Sequence, residues 1–80
     1  MQGLEFMKER VKIETLYEKV DTLIKEKDFQ GAKKNLEKSR KLLLKLSKII
    51  TGNEVQERSV FNMEIKGKHL SRRLDNLTAD

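Results

Sequence analysis

Five lysines, Lys34, Lys38, Lys41, Lys45 and Lys48, step 4, 3, 4 and 3 along the chain. On a helix that spacing makes one straight stripe of ammonium groups. The chemistry it offers is electrostatic: attraction of nucleic-acid phosphates or of an acidic protein. No aromatic residue interleaves the stripe to stack on bases. Lysines without arginines also suit loose phosphate contact more than bidentate base readout. The same stripe reads equally well as a solvated face that keeps a small protein in solution. A second basic group, Lys66, Lys68, His69, Arg72 and Arg73, lies late in the sequence, with Lys66, His69 and Arg73 on one helical face. Cations there also complement a helix C-terminus. His69 is the only histidine and cysteine is absent, which excludes thiol nucleophiles, disulfides and the usual zinc and iron–sulfur ligand sets. No nucleophile–base pair or phosphate-cradling glycine loop accompanies His69. No catalytic residue, cofactor or metal site is expected, and the chain reads as a non-enzyme.

Charge is unevenly spread. Residues 1–28 carry 6 basic and 7 acidic side chains, residues 29–50 carry 7 basic and only Glu37, and residues 51–80 carry 5 of each. The whole net charge of +5 therefore comes from the middle third. Eighty residues form one small domain with a thin core. Leu, Ile, Val and Phe make up about 29% of the chain, above the ~20% at which disorder becomes the default. The absence of disulfides and of an apolar leader points to an intracellular, cytoplasmic setting. The longest apolar run is Leu42-Leu43-Leu44, too short to span a membrane.

Three apolar seams carry the helical period. The first joins Phe6, Ile13, Leu16, Tyr17, Val20, Leu23 and Ile24. The second joins Phe29, Ala32, Leu36, Ser39, Leu43, Leu46 and Ile50, widened by Leu42 and Ile49. The third joins Val60, Met63, Gly67, Leu70, Leu74 and Leu77. Relative to the second seam, the lysine stripe points directly away. Asp28 is placed to cap the second helix, Gly52 to end it, and Asn53 with Gln56 resembles a capping box for the third. Proline is absent, which suits long helices. The spacing predicts an all-α, up-down-up antiparallel three-helix bundle, with helices at about 5–27, 29–51 and 54–77, and frayed ends at 1–4 and 78–80. Gly67 on a core seam implies close approach of a neighbouring helix, beside the small residue Ser39 of the second helix, or a kink.

Some apolar residues miss the seams. Leu4, Met7 and Val11 share another face of the first helix, Phe61 and Ile65 another face of the third, and Leu44 stands alone on the second. Either a thin core wraps round them or they form a partner surface. Self-association into a homodimer is the simplest such partnership, because it enlarges a small core.

The run Lys27-Asp28-Phe29-Gln30-Gly31-Ala32, followed by Leu36 and Ser39, resembles the turn and second helix of a tetratricopeptide hairpin. Leu16 and Leu23 match two first-helix positions. Lys19 stands where that pattern has Leu, and Val20 where it has a small residue. One hairpin with a third helix is similar in outline to the microtubule-interacting and trafficking (MIT) domain, with His69-Leu70-Ser71-Arg72 loosely echoing its third-helix Tyr-Leu-x-Arg. The resemblance implies a three-helix bundle that takes short helical peptides in grooves between its helices. The expected function is a small protein-interaction or adaptor module that binds a partner through inter-helix grooves and the off-seam apolar residues. The alternative is a small basic nucleic-acid-associated regulatory protein that uses the lysine stripe.

Overall fold

Hydrogen bonding at two short turns divides the chain into three helices. In the computed structural model, which describes residues 2–79, these are α1 (Gly3–Lys25), α2 (Phe29–Ile49) and α3 (Glu54–Thr78). The first turn is a Schellman stop. Lys27 N–H donates to the Ile24 carbonyl at 3.0 Å and Asp28 N–H to the Leu23 carbonyl at 2.8 Å. Lys27 sits at φ 63° to allow it, a left-handed conformation that disfavours a side chain. Without a glycine to mark it, this stop comes two residues before the helix end expected from the sequence.

Asp28 then caps α2, its carboxylate accepting the Gly31 N–H at 3.0 Å. Gly31 leaves room for that carboxylate, because a Cβ there would lie 2.6 Å from Asp28 Oδ2. At the second turn Gly52 adopts φ 96°, as its placement suggested, although α2 has already ended at Ile49. Asn53 caps α3 by accepting the Gln56 N–H at 3.1 Å. The reciprocal half of the expected capping box is replaced. Asn53 N–H turns back to the Ile50 carbonyl at 3.0 Å, and Glu57 takes the Gly52 N–H at 2.7 Å.

The ends depart from the expected fraying: Gly3 and Leu4 belong to α1, and Thr78 ends α3 with its hydroxyl bonded to the Leu74 carbonyl at 3.0 Å. Met1 and Asp80 lie outside the described residues.

The core falls into two clusters. One joins Phe6, Ile13 and Tyr17 of α1 to Leu43 and Leu46 of α2, to Ile50, and to Val60 and Met63 of α3. The other joins Val20 and Ile24 to Ala32 and Leu74. The start of α1 thus lies with the end of α2 and the start of α3, which is the up-down-up antiparallel order. The bundle measures 43 × 18 × 15 Å. Helices of 23, 21 and 25 residues rise roughly 32–38 Å, so each runs most of its length.

Some seam residues are less covered than expected: Leu16, Leu23, Phe29, Leu36, Leu42 and Leu70 are half-buried, and Ile49 and Leu77 are exposed. Leu36 is only half-buried, lying between the two clusters. Ile49 is more than half exposed because Ile50, one step on, takes the buried position. Leu77 is more than half exposed as well. It lies one turn past Leu74, the residue that reaches Ile24 and Ala32, and beyond that level α1 has already turned into α2. Gln56, absent from the expected seam, is buried one turn before Val60.

Candidate partner groove between α2 and α3

Between the two apolar clusters the bundle has a polar waist. Tyr17, the sole tyrosine, reaches from α1 to α3, and its hydroxyl donates to the Met63 carbonyl at 2.9 Å. That carbonyl is also the one the helical ladder pairs with the Gly67 N–H. Gly67 makes the approach possible: a Cβ there would sit 2.8 Å from Tyr17 Oη and 3.4 Å from Cε1 and Cζ. The close approach inferred from the sequence is therefore made by a side chain of α1. Ser39, buried opposite, bonds back to the Leu36 carbonyl at 2.6 Å and presents a small surface beside the phenol. Burial pushes the Tyr17 phenol above its ordinary pKa. The Ser39 hydroxyl opposes the shift and the Glu64 carboxylate adds to it.

Because Ser39 and Gly67 are small, α2 and α3 leave a cleft of about 340 Å³ at this level. Tyr17, Leu36 and Leu43 form its apolar base, and Arg40, Leu44, Glu64 and Lys68 stand around it. A second hollow of about 240 Å³ continues toward the α2 N-terminus. It shares Leu36, Arg40 and Ser71 with the first and adds Lys33, Glu37, Leu74 and Asp75. The two make one groove, apolar in the first hollow and largely polar in the second, with edges of mixed charge. From Lys33 to Leu44 it follows twelve residues of α2, roughly 16 Å, or three helical turns.

The expected site residues separate in space. Leu4, Met7, Val11, Leu44, Phe61 and Ile65 are all exposed, from 80% at Leu4 to 39% at Ile65, so the core does not wrap round them. Of the six, Leu44 lines the α2–α3 groove. Phe61 stands one turn before Glu64 on the same side of α3, with Ile65 beside it. Leu4, Met7 and Val11 form a separate stripe on α1.

The late basic group also disperses. Arg73 binds Asp21 of α1 at 2.8 Å, and Asp21 also takes Lys25 at 3.1 Å. The Lys25 and Arg73 hydrogen bonds hold the Asp21 carboxyl below its ordinary value. Lys66 faces a shallow recess between α1 and α3, and Lys68 the α2–α3 groove. His69 and Arg72 are exposed.

Lys34, Lys38, Lys41, Lys45 and Lys48 are all exposed, and none forms an ion pair among the described residues. Their direction differs from expectation. Lys38, Lys41 and Lys45 lean toward α1 and surround a hollow over Leu16 and Leu42.

Sequence reasoning pairs Ser39 with Gly67 but misses that Tyr17 fills the level between them; Tyr17 shows only as one more seam residue.

Among the described residues no cluster of three or more His, Asp or Glu could hold a metal ion, and no helix is long and apolar enough to cross a membrane. Comparison with protein-family models, curated proteins and solved structures finds no match to this chain.

Proposed function

We propose that the chain is a non-enzymatic protein-interaction module whose α2–α3 groove receives an amphipathic helical segment of a partner protein. The observation that supports this reading is the groove itself: three turns long, apolar where Tyr17, Leu36 and Leu43 line it, more polar toward Lys33 and Asp75, and bordered by both signs of charge. An amphipathic helix docks by setting apolar residues at one-turn spacing into such a groove. Mixed edge charges, Arg40 and Lys68 against Glu64 and Asp75, would fix its direction more than its affinity. The resemblance to tetratricopeptide hairpins and MIT domains points the same way. The exposed stripe of Leu4, Met7 and Val11 and the pair Phe61 and Ile65 remain for a second copy of the chain.

The test is affinity capture from the native cell, with and without nuclease, using the wild-type chain and Leu44→Glu. The proposal expects a protein partner that survives nuclease and is lost with Leu44→Glu. Partners released by nuclease would favour the nucleic-acid alternative. Partners retained by Leu44→Glu would rule out the groove.

A further inference from the structure

The α1–α2 face carries a feature that the α2–α3 groove does not use. Lys38, Lys41 and Lys45 stand round a hollow of about 310 Å³ whose floor is Leu16 and Leu42. Both leucines are only partly covered, and the lysine stems add methylene groups to the wall. On the α1 side, Glu9, Lys12 and Lys19 share the edge of Leu16 by helical spacing. Glu9 is taken by Lys12 at 3.0 Å. Lys19 and the three stripe lysines have no ion-pair partner among the described residues. The face thus combines unneutralised positive charge with an apolar depression at its centre.

From this combination we propose that the α1–α2 face docks an acidic segment of a partner protein. One large apolar side chain of the segment fills the Leu16/Leu42 hollow, and flanking carboxylates meet Lys38, Lys41 and Lys45. Charge complementarity selects the acid. The hollow selects a polypeptide over other polyanions, because a sugar–phosphate backbone has no apolar group to seat there and gains nothing from Leu16 or Leu42. It also favours a protruding side chain over an anionic membrane, because a flat lipid surface offers no single apolar group to seat between the lysines. This face is separate from the α2–α3 groove and does not depend on it.

The test selects binders from a random 16-residue peptide library displayed on phage, against the full chain. Enriched peptides are then measured against Lys41→Glu/Lys45→Glu, Leu42→Gln and Leu44→Glu, with circular dichroism confirming helical content. A duplex DNA and phosphatidylserine vesicles are measured at the same near-physiological salt. The expected result is a set of acidic peptides with one large apolar residue. Their affinity falls roughly tenfold or more in the double Glu variant, falls in Leu42→Gln, and is unchanged in Leu44→Glu. Because the double Glu variant changes only exposed positions, it keeps the test decisive if Leu42→Gln fails to fold. The proposal is overturned by no enrichment of acidic peptides, by indifference to the double Glu variant, or by tighter binding of duplex DNA or vesicles than of any peptide. Peptides lost only with Leu44→Glu belong to the α2–α3 groove, and a selection that yields only those overturns the proposal as well.

Discussion

Replacing Gly67 with Ala opposes two effects of known sign at one atom. Mid-helix Gly→Ala should stabilise α3 by about 1 kcal/mol through backbone propensity. Here the added methyl would meet Tyr17 Oη at 2.8 Å. The phenol has little room to retreat, because the ring is only 2% exposed and its hydroxyl is bonded to the Met63 carbonyl at 2.9 Å. Moving it loses a buried hydrogen bond, about 1 kcal/mol, and overpacks the waist, roughly 1–3 kcal/mol. Gly67→Ala alone should therefore destabilise by about 1–3 kcal/mol, a fall in Tm of roughly 4–24 °C for a domain this size. Tyr17→Phe alone should cost about 1 kcal/mol. In the Tyr17→Phe background the oxygen is gone and only the 3.4 Å carbon contacts remain, so the same Ala should now stabilise. The coupling between the two positions should be roughly 2–4 kcal/mol. Urea denaturation of the four proteins, followed by circular dichroism at 222 nm, measures it. If Gly67→Ala stabilised by the same amount with Tyr or Phe at position 17, the waist would not be built as described.

Other expectations follow from the same contacts. Tyr17 is protonated in both states below its ordinary pKa of 10.0, and burial raises that value in the fold, so its contribution to stability is complete below about pH 10 and lost as pH rises through the folded value; absorbance at 295 nm, which this one tyrosine dominates, should rise together with alkaline unfolding. Asp21 is held below its ordinary 3.8, so its contribution is present above that value and lost as pH falls through the depressed one; Asp21→Asn should make the acid-side fall in Tm shallower. Lys27→Gly should raise stability by about 0.5–1 kcal/mol in chemical denaturation, by relieving a left-handed residue at φ 63°. Leu43→Ala should cost roughly 2–5 kcal/mol and Leu44→Ala no more than about 0.5 kcal/mol, because Leu43 is buried and Leu44 exposed.

The helical seams were legible because a 3.6-residue period needs only residue type. Asp28, Gly52 and Asn53 were legible because capping is local chemistry. The stop at Lys27 was not, since its backbone conformation is imposed by Schellman hydrogen bonds and no glycine announces it. Ile49 and Leu77 could not be placed from periodicity alone: which edge of a seam is buried depends on where the neighbouring helices end. Leu44 was visible as an apolar residue off the seam, but the groove behind it was not. That groove exists because Ser39 and Gly67 meet at one level under Tyr17, a coincidence of register across three helices. The lysine stripe was read correctly as a row, while its lean toward Leu16 depends on how α2 is rotated between α1 and α3.

The most direct test of the interaction reading places a photo-crosslinking residue, p-benzoylphenylalanine, at Leu44 or at Val55 in the native cell. Both positions are exposed, but only Leu44 lines the α2–α3 groove among the described residues. Irradiation should give a discrete protein adduct from position 44 that is resistant to nuclease and absent from position 55. No adduct from position 44, or the same adduct from both positions, would contradict a partner in the groove.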